Sequence, residues 1–166
     1  YTLQDTLYAV GETVVASALS PQGQRVVLKY LQSAQPAPEQ LARWRHEFEL
    51  LSHIDSPWIL KAQALLPVER SLVLVLEDFA STSLAELIAR NALDLSERLQ
   101  LALQLCRALS AVHQHGLIHG DLAPKNVLVD VGALQLKLCD FALASRLEHA
   151  QQRSEATPLR GTLEYM

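Results

Sequence analysis

The sequence has few cysteines, no basic excess and no long apolar run. Among its 166 residues there are two cysteines, Cys106 and Cys139. Two isolated thiols form neither a disulfide framework nor a zinc-ligand pattern. Both lie in apolar runs, so they are expected to be small core hydrophobes in a reducing compartment. Lys and Arg number 14 against 18 Asp and Glu, a net charge of −4. Nucleic-acid binders usually carry a basic balance or stripe, so no such partner is expected. No apolar run approaches the ~20 residues of a membrane span, and no secretory signal opens the chain. There is no internal repeat and no low-complexity segment. The composition is 49% hydrophobic and 19% charged, which suits a globular, cytoplasmic protein. The chain starts at Tyr1 and stops at Met166 without a polar tail, as expected of an excerpt from something longer.

The first half reads as mostly β. Thr13 to Leu19 and Arg25 to Leu31 are apolar, β-branched runs joined by Ser20-Pro21-Gln22-Gly23, a hairpin with a type I turn. Alternation along the second run puts Val27 and Lys29 on one face and Val26, Leu28 and Tyr30 on the other. After a linker at Gln35 to Pro38, Leu41, Trp44, Phe48 and Leu51 recur at helical spacing, with Glu47 on the flank of their stripe. Lys61 to Leu66 and Ser71 to Leu76 predict a strand pair with Pro67 in the connection. Leu72 to Leu76 has no polar face, so it is expected to be buried on both sides.

The second half reads as mostly helical. Ser83 to Arg90 predicts a short helix. Asp94 heads a long one, with Glu97 completing a capping box. Leu95, Leu99, Ala102, Cys106, Leu109 and Val112 are its expected buried stripe, and Gly116 its stop. Val127 to Val129 and Leu136 to Leu138 predict two short strands about a turn at Gly132. Glu148 to Leu159 reads as an exposed loop. The boundary between the halves is expected near residues 77–82.

The densest polar cluster in apolar surroundings is His119-Gly120-Asp121 with Lys125 and Asn126, followed by Asp140-Phe141-Ala142. Here the sequence resembles the protein-kinase superfamily, Ser/Thr type, along its whole length. Val26-Val27-Leu28-Lys29 looks like V-A-I-K, and Glu47 like the partner of its lysine. His119-Gly120-Asp121 with Asn126 looks like H-R-D-x-x-x-x-N, Asp140-Phe141-Ala142 like D-F-G, and Gly161 to Met166 like the stretch before A-P-E. Ordered matches of this kind carry more weight than any one alone. Tyr1-Thr2-Leu3, Val27-Leu28-Lys29 and Leu76-Glu77-Asp78-Phe79 are also similar to the kinase-like domain heading large bacterial multidomain sensor histidine kinases.

The resemblance implies an α+β, bilobal protein-kinase-like fold. Residues 1–78 would form a small β-rich N-lobe with one helix. Residues 79–166 would form a truncated helical C-lobe, since whole domains of the family run to roughly 250 residues. It implies ATP and Mg2+ as cofactors, with a protein substrate or neighbouring signalling domains as partners. Lys29 would pair the phosphates, held by Glu47. Asp121 would take the substrate proton, with Lys125 beside the transferred phosphate. Asn126 and Asp140 would supply the hard oxygen ligands that Mg2+ prefers. Val14 and Val27 would roof the adenine, Leu128 would floor it and Leu76 would be the gatekeeper. Backbone groups of Glu77 and Phe79 would meet the base edge.

Several positions depart from the family pattern. Leu7 to Val14 (LYAVGETV) holds a single glycine, Gly11, and Glu12 stands where another belongs; a carboxylate there repels phosphates. Gly120 replaces the arginine that answers a phosphate on the activation loop, so control by loop phosphorylation is not expected. Ala142 replaces the D-F-G glycine. Ala123 stands at the usual lysine position, with Lys125 as its replacement. His119 is expected to pack on Phe141. Ser154, Thr157 and Thr162 are open to modification, and Arg146, Arg153 and Arg160 are expected to be solvated. A phosphotransferring kinase, a pseudokinase module and an aminoglycoside-type small-molecule phosphotransferase, whose loop resembles H-G-D-L-A-P-K-N, are the three readings of the sequence.

Overall fold

A computed structural model of the chain describes residues 1–33, 35–79 and 81–146. The loop expected at Glu148 to Leu159, the Gly161 to Met166 stretch, and Arg153, Arg160, Ser154, Thr157 and Thr162 lie outside the described residues. The described chain separates into two compact units. One comprises Tyr1–His53 with Lys61–Phe79, and the other takes Ile54–Leu60 and residues 81–146. Strands dominate the first and helices the second, an α+β architecture.

In the first unit, β1 (Thr2–Val10), β2 (Thr13–Leu19), β3 (Arg25–Leu31), β4 (Ala62–Val68) and β5 (Ser71–Glu77) form one antiparallel sheet in the order β1-β2-β3-β5-β4. The β2–β3 turn closes through the Gly23 N–H on the Ser20 carbonyl, 2.9 Å. β5 lies between β3 and β4, and its Leu72, Leu74, Val75 and Leu76 are buried, as its unbroken apolar run predicts. Pro67 is not in the β4–β5 connection as expected. It pairs with Leu72 inside β4. An edge strand tolerates this because one of its sides needs no ladder donor. One face of the sheet is closed by Ala18, Val26, Leu28 and Val75, with Tyr30, Ala64, Leu66 and Val73 packed against them.

Helix α1 (Pro38–Ser52) starts at Ala37, which has no capping side chain. Gln40 compensates, accepting from the Ala37 N–H at 2.9 Å. Trp44, Glu47, Leu50 and Leu51 are its buried residues, so Glu47 lies within the buried face and not at its margin.

In the second unit, α2 (Leu84–Ala89) is capped by Ser83 and α3 (Leu95–Gln114) by Asp94, whose capping box with Glu97 closes at 2.8 Å in both directions. Short strands β6 (Thr82–Ser83), β8 (Val127–Asp130) and β9 (Gln135–Leu138) form one sheet, and β7 (Leu117–Ile118) pairs with β10 (Ser145–Arg146). The buried positions of α3 are Leu101, Ala108 and Val112; Leu95 and Leu99 are 73% and 59% exposed, contrary to the expected stripe. Apolar residues occupy more than one side of this helix, so periodicity alone does not choose among them. Gln104 chooses. Its amide donates to the Leu134 carbonyl and accepts from the Leu136 N–H, both at 2.8 Å, and so pins β9 to one side of α3. For the same reason Cys106 is exposed, and Cys139, beyond β9, is half-buried with its thiol on the Asn126 carbonyl, so neither is the core thiol expected. Among the described residues, no helix is long and apolar enough to cross a membrane.

Candidate active site

β3 lies between β2 and β5, so its central residues are held from both sides. Lys29 is opposite Val15 on β2 and Leu74 on β5. Its ammonium meets both carboxylate oxygens of Glu47, at 3.1 and 2.9 Å. The two residues are 8% and 1% exposed, so this is a buried ion pair. The indole of Trp44, one turn before Glu47 on α1, lies 5.9 Å from the same ammonium. Both carboxylate oxygens serve one cation, which compensates the cost of burying the charges. Sequence reasoning passed over Trp44 as a site residue because a Trp at helical spacing reads as core.

Directly opposed residues share a sheet face. Val27 opposes Ser17 and Leu76, so Val27, Lys29, Leu76 and Val15 stand on one face. Val14 opposes Tyr30 and stands on the other face, buried. The pairing of Val14 with Val27 in one roof is therefore corrected: the β2 residue sharing the Val27 face near Lys29 is Val15. The sequence motif offers two adjacent valines, and only the register chooses. Glu77 has two groups committed to Lys61. Its N–H donates to the Lys61 carbonyl at 3.0 Å, and its carboxylate accepts the Lys61 N–H at 2.7 Å. Phe79 is half-buried at the end of this unit.

No loop separates β1 from β2. The strands run into a two-residue turn, Gly11-Glu12, with Val10 opposite Thr13. Glu12 accepts from the Gln40 side chain at 3.1 Å, which ties the turn to the start of α1.

The second unit holds Asp121, Lys125, Asn126, Leu128 and Asp140. Pro124–Asn126 form a single 3-10 turn, which brings the side chain of Asn126 back onto Asp121. The Asn126 amide nitrogen donates to the Asp121 carbonyl at 2.8 Å and to its carboxylate at 3.0 Å. Lys125 lies 3.4 Å from the same carboxylate oxygen. Leu128 is half-buried on β8. Asn126 also accepts, through its backbone carbonyl, the Cys139 N–H at 2.9 Å, so the residue before Asp140 is fixed to the Asn126 backbone. With the amide nitrogen engaged, the Asn126 side chain offers its oxygen, and that oxygen and the Asp140 carboxylate are each of the hard type that Mg2+ takes. Among the described residues, no group of three or more His, Cys, Asp and Glu could itself cage a metal.

His119 organises this loop. Its ring meets Phe141 edge-on, with centroids 4.7 Å apart. Its Nε2 donates to the Cys139 carbonyl at 3.0 Å, and its Nδ1 accepts the Asp121 N–H at 3.3 Å. These partners specify the neutral imidazole with its proton on Nε2. Burial holds its pKa below the ordinary value, against the upward pull of the Cys139 carbonyl, Asp140 and Asp121.

The family model described as protein kinase domain matches residues 10–166. The chain belongs to the protein kinase family. The kinase domain is 30% identical over 146 residues to human ribosomal protein S6 kinase alpha-6, covering 87% of this chain and 19% of that protein. It is 34% identical over 132 residues to human Citron Rho-interacting kinase, covering 78% of this chain and 6% of that protein. It is 30% identical over 162 residues to the serine/threonine-protein kinase pkn2 of Myxococcus xanthus, covering 95% of this chain and 19% of that protein. The kinase domain thus spans a fifth or less of the length of these relatives.

Proposed function

We propose that this kinase domain binds Mg-ATP and transfers the γ-phosphate to a Ser or Thr hydroxyl of a protein, as a cytoplasmic signalling module alongside other domains. The observation that carries the proposal is the buried Lys29–Glu47 pair, a cation held rigid on a central strand by a carboxylate from α1. Phosphoryl transfer depends mainly on positioned charge. Lys29 pairs the α- and β-phosphates and Glu47 keeps its ammonium from wandering. Val15 and Val27 cover the adenine with Leu76 as gatekeeper, Leu128 lies under it, and backbone groups of Glu77 and Phe79 meet its edge.

The Asn126 oxygen and the Asp140 carboxylate hold Mg2+, which supplies charge neutralisation at the phosphates when bound. Asp121 accepts the hydroxyl proton as the substrate oxygen bonds to the γ-phosphorus and the bond from that phosphorus to the bridging oxygen of ADP breaks. Lys125, beside Asp121, offsets charge on the transferred group. The Ser/Thr-type relatives favour a protein hydroxyl over a small-molecule acceptor.

The Gly11-Glu12 turn favours a second reading, a pseudokinase that holds nucleotide or a partner without turnover. It brings a carboxylate to the turn between β1 and β2, which carries a single glycine. The test is transfer from γ-labelled ATP with Mg2+ by the full-length protein, to itself and to a generic protein substrate, beside Asp121→Asn. Transfer that the substitution abolishes supports the kinase. Nucleotide binding without transfer supports the second reading.

A further inference from the structure

Asp140 is gripped on both sides by the two residues that precede Asp121. On its N-terminal side, His119 Nε2 holds the Cys139 carbonyl at 3.0 Å. On its C-terminal side, the Leu143 carbonyl lies against the bare α-carbon of Gly120. Gly120 is in the left-handed region, φ +78°. A Cβ built there would overlap the Leu143 oxygen and stand 3.1 Å from the Leu143 carbonyl carbon. Backbone atoms of this kind cannot swing aside as the tip of a side chain can. The segment after Asp140 continues the same seam, with Ala144 N–H closing on the Phe141 carbonyl at 3.0 Å and Ser145 pairing with Ile118.

We propose that Gly120 is a positioning residue, the seat that receives the Leu143 backbone and so fixes Asp140 relative to Asp121. The proposal rests on the reading of Asp140 as a Mg2+ ligand only for its catalytic consequence, since the seat itself is a property of the fold. In this chain a side chain at position 120 collides with the Leu143 backbone and so displaces the segment after Asp140. The seam is made from backbone contacts already in place, so it needs no modification to assemble it.

Gly116 provides the control. It has a similar backbone conformation, φ +68°, with nothing within 4 Å of a Cβ built on it. Alanine therefore brings comparable left-handed strain at either site, but a collision only at Gly120.

The experiment compares wild type, Gly120→Ala and Gly116→Ala in the full-length protein by two measurements. In hydrogen exchange without nucleotide, wild-type residues 141–146 should open together with residues 117–121. Gly120→Ala should speed exchange across 139–146, and Gly116→Ala should not. In Mg2+ titrations of fluorescent ATP-analogue binding, Gly120→Ala should raise the half-saturating Mg2+ about 10-fold or more, with Gly116→Ala near wild type. A Gly120→Ala protein that fails to melt cooperatively, while Gly116→Ala melts normally, also supports the seat. Free exchange of residues 141–146 in the wild type overturns the proposal, as do equal effects of the two substitutions. Wild type that exchanges as expected but binds no ATP analogue overturns the proposed function and leaves the seat standing.

Discussion

One nitrogen of the Asn126 side chain bonds to two oxygens of Asp121, the carbonyl at 2.8 Å and the carboxylate at 3.0 Å. The bond fixes the direction of the Asp121 carboxylate and, by occupying the amide nitrogen, also settles which end of Asn126 is offered outward. Asn126→Ala removes both effects. It should lower phosphate transfer at least about 10-fold and raise the Mg2+ requirement. It should also destabilise the fold by about 1–3 kcal/mol, because partly buried acceptors lose their donor. Steady-state kinetics across a Mg2+ series and a thermal melt check both parts.

The Lys29–Glu47 pair predicts a specific pattern of non-additivity. Lys29→Met or Glu47→Leu alone leaves a buried charge uncompensated and should destabilise by about 3–5 kcal/mol. The double substitution should cost much less than the sum of the two. A double-mutant cycle by denaturant unfolding measures the coupling, and additive losses would contradict a buried pair.

The register of β2 makes two neighbouring valines behave differently. Val14→Ala opens space in the packed face and should cost about 1–3 kcal/mol of stability. Val15→Ala should cost less stability and weaken ATP-analogue binding several-fold, about 1 kcal/mol. Melting and binding measured on the same two variants separate these effects, and the reverse pattern would return the roof to Val14.

The lowered pKa of His119 sets the sign of a pH dependence. The unfolded chain takes up a proton near the ordinary value of about 6.5, and the folded chain only at lower pH. Between the two, the unfolded state binds more protons, so stability rises with pH. The contribution is complete above the unfolded value and is lost as pH falls through the folded one. His119→Asn keeps a smaller polar group with a donor and an acceptor that does not titrate, so unfolding free energies measured from pH 7 to 5 should decline less steeply in that variant.

Glu12 is the outlier of the nucleotide-side hairpin. If its carboxylate faces bound phosphates, Glu12→Gln should lower the KM for ATP several-fold while keeping a side chain that reaches Gln40, an effect of roughly 1 kcal/mol. An unchanged or raised KM would place the carboxylate on Gln40 alone, as a tie to α1.

Much of this protein was legible locally. The capping box of Asp94 and Glu97, the hairpin about Gly23 and the buried run of β5 each follow from residues adjacent in sequence, because capping, turns and strand propensity are short-range. The motif around His119, Asp121, Asn126 and Asp140 was legible as a resemblance to the protein-kinase family, and the family match over residues 10–166 bears out that family. Three features escaped a local reading. Pro67 was placed in the connection between β4 and β5 but belongs to the edge strand β4. Val14 was placed in one roof with Val27 but stands on the opposite sheet face. Leu95, Leu99 and Cys106 matched helical spacing yet face outward.

What the sequence by itself determined was the main hairpins, the helices and the inventory of reactive groups, while β1 and the short strands β6, β7 and β10 were not read from it. Tertiary structure alone decided which side of each element is used. A strand offers two faces that differ by one residue, and α3 offers more than one apolar side. Only long-range contacts break such ties. Opposing Lys29 to Val15 sets the face of β2, the two bonds of Gln104 set the side of α3, and the Leu143 carbonyl makes Gly120 a requirement and not merely a missing arginine.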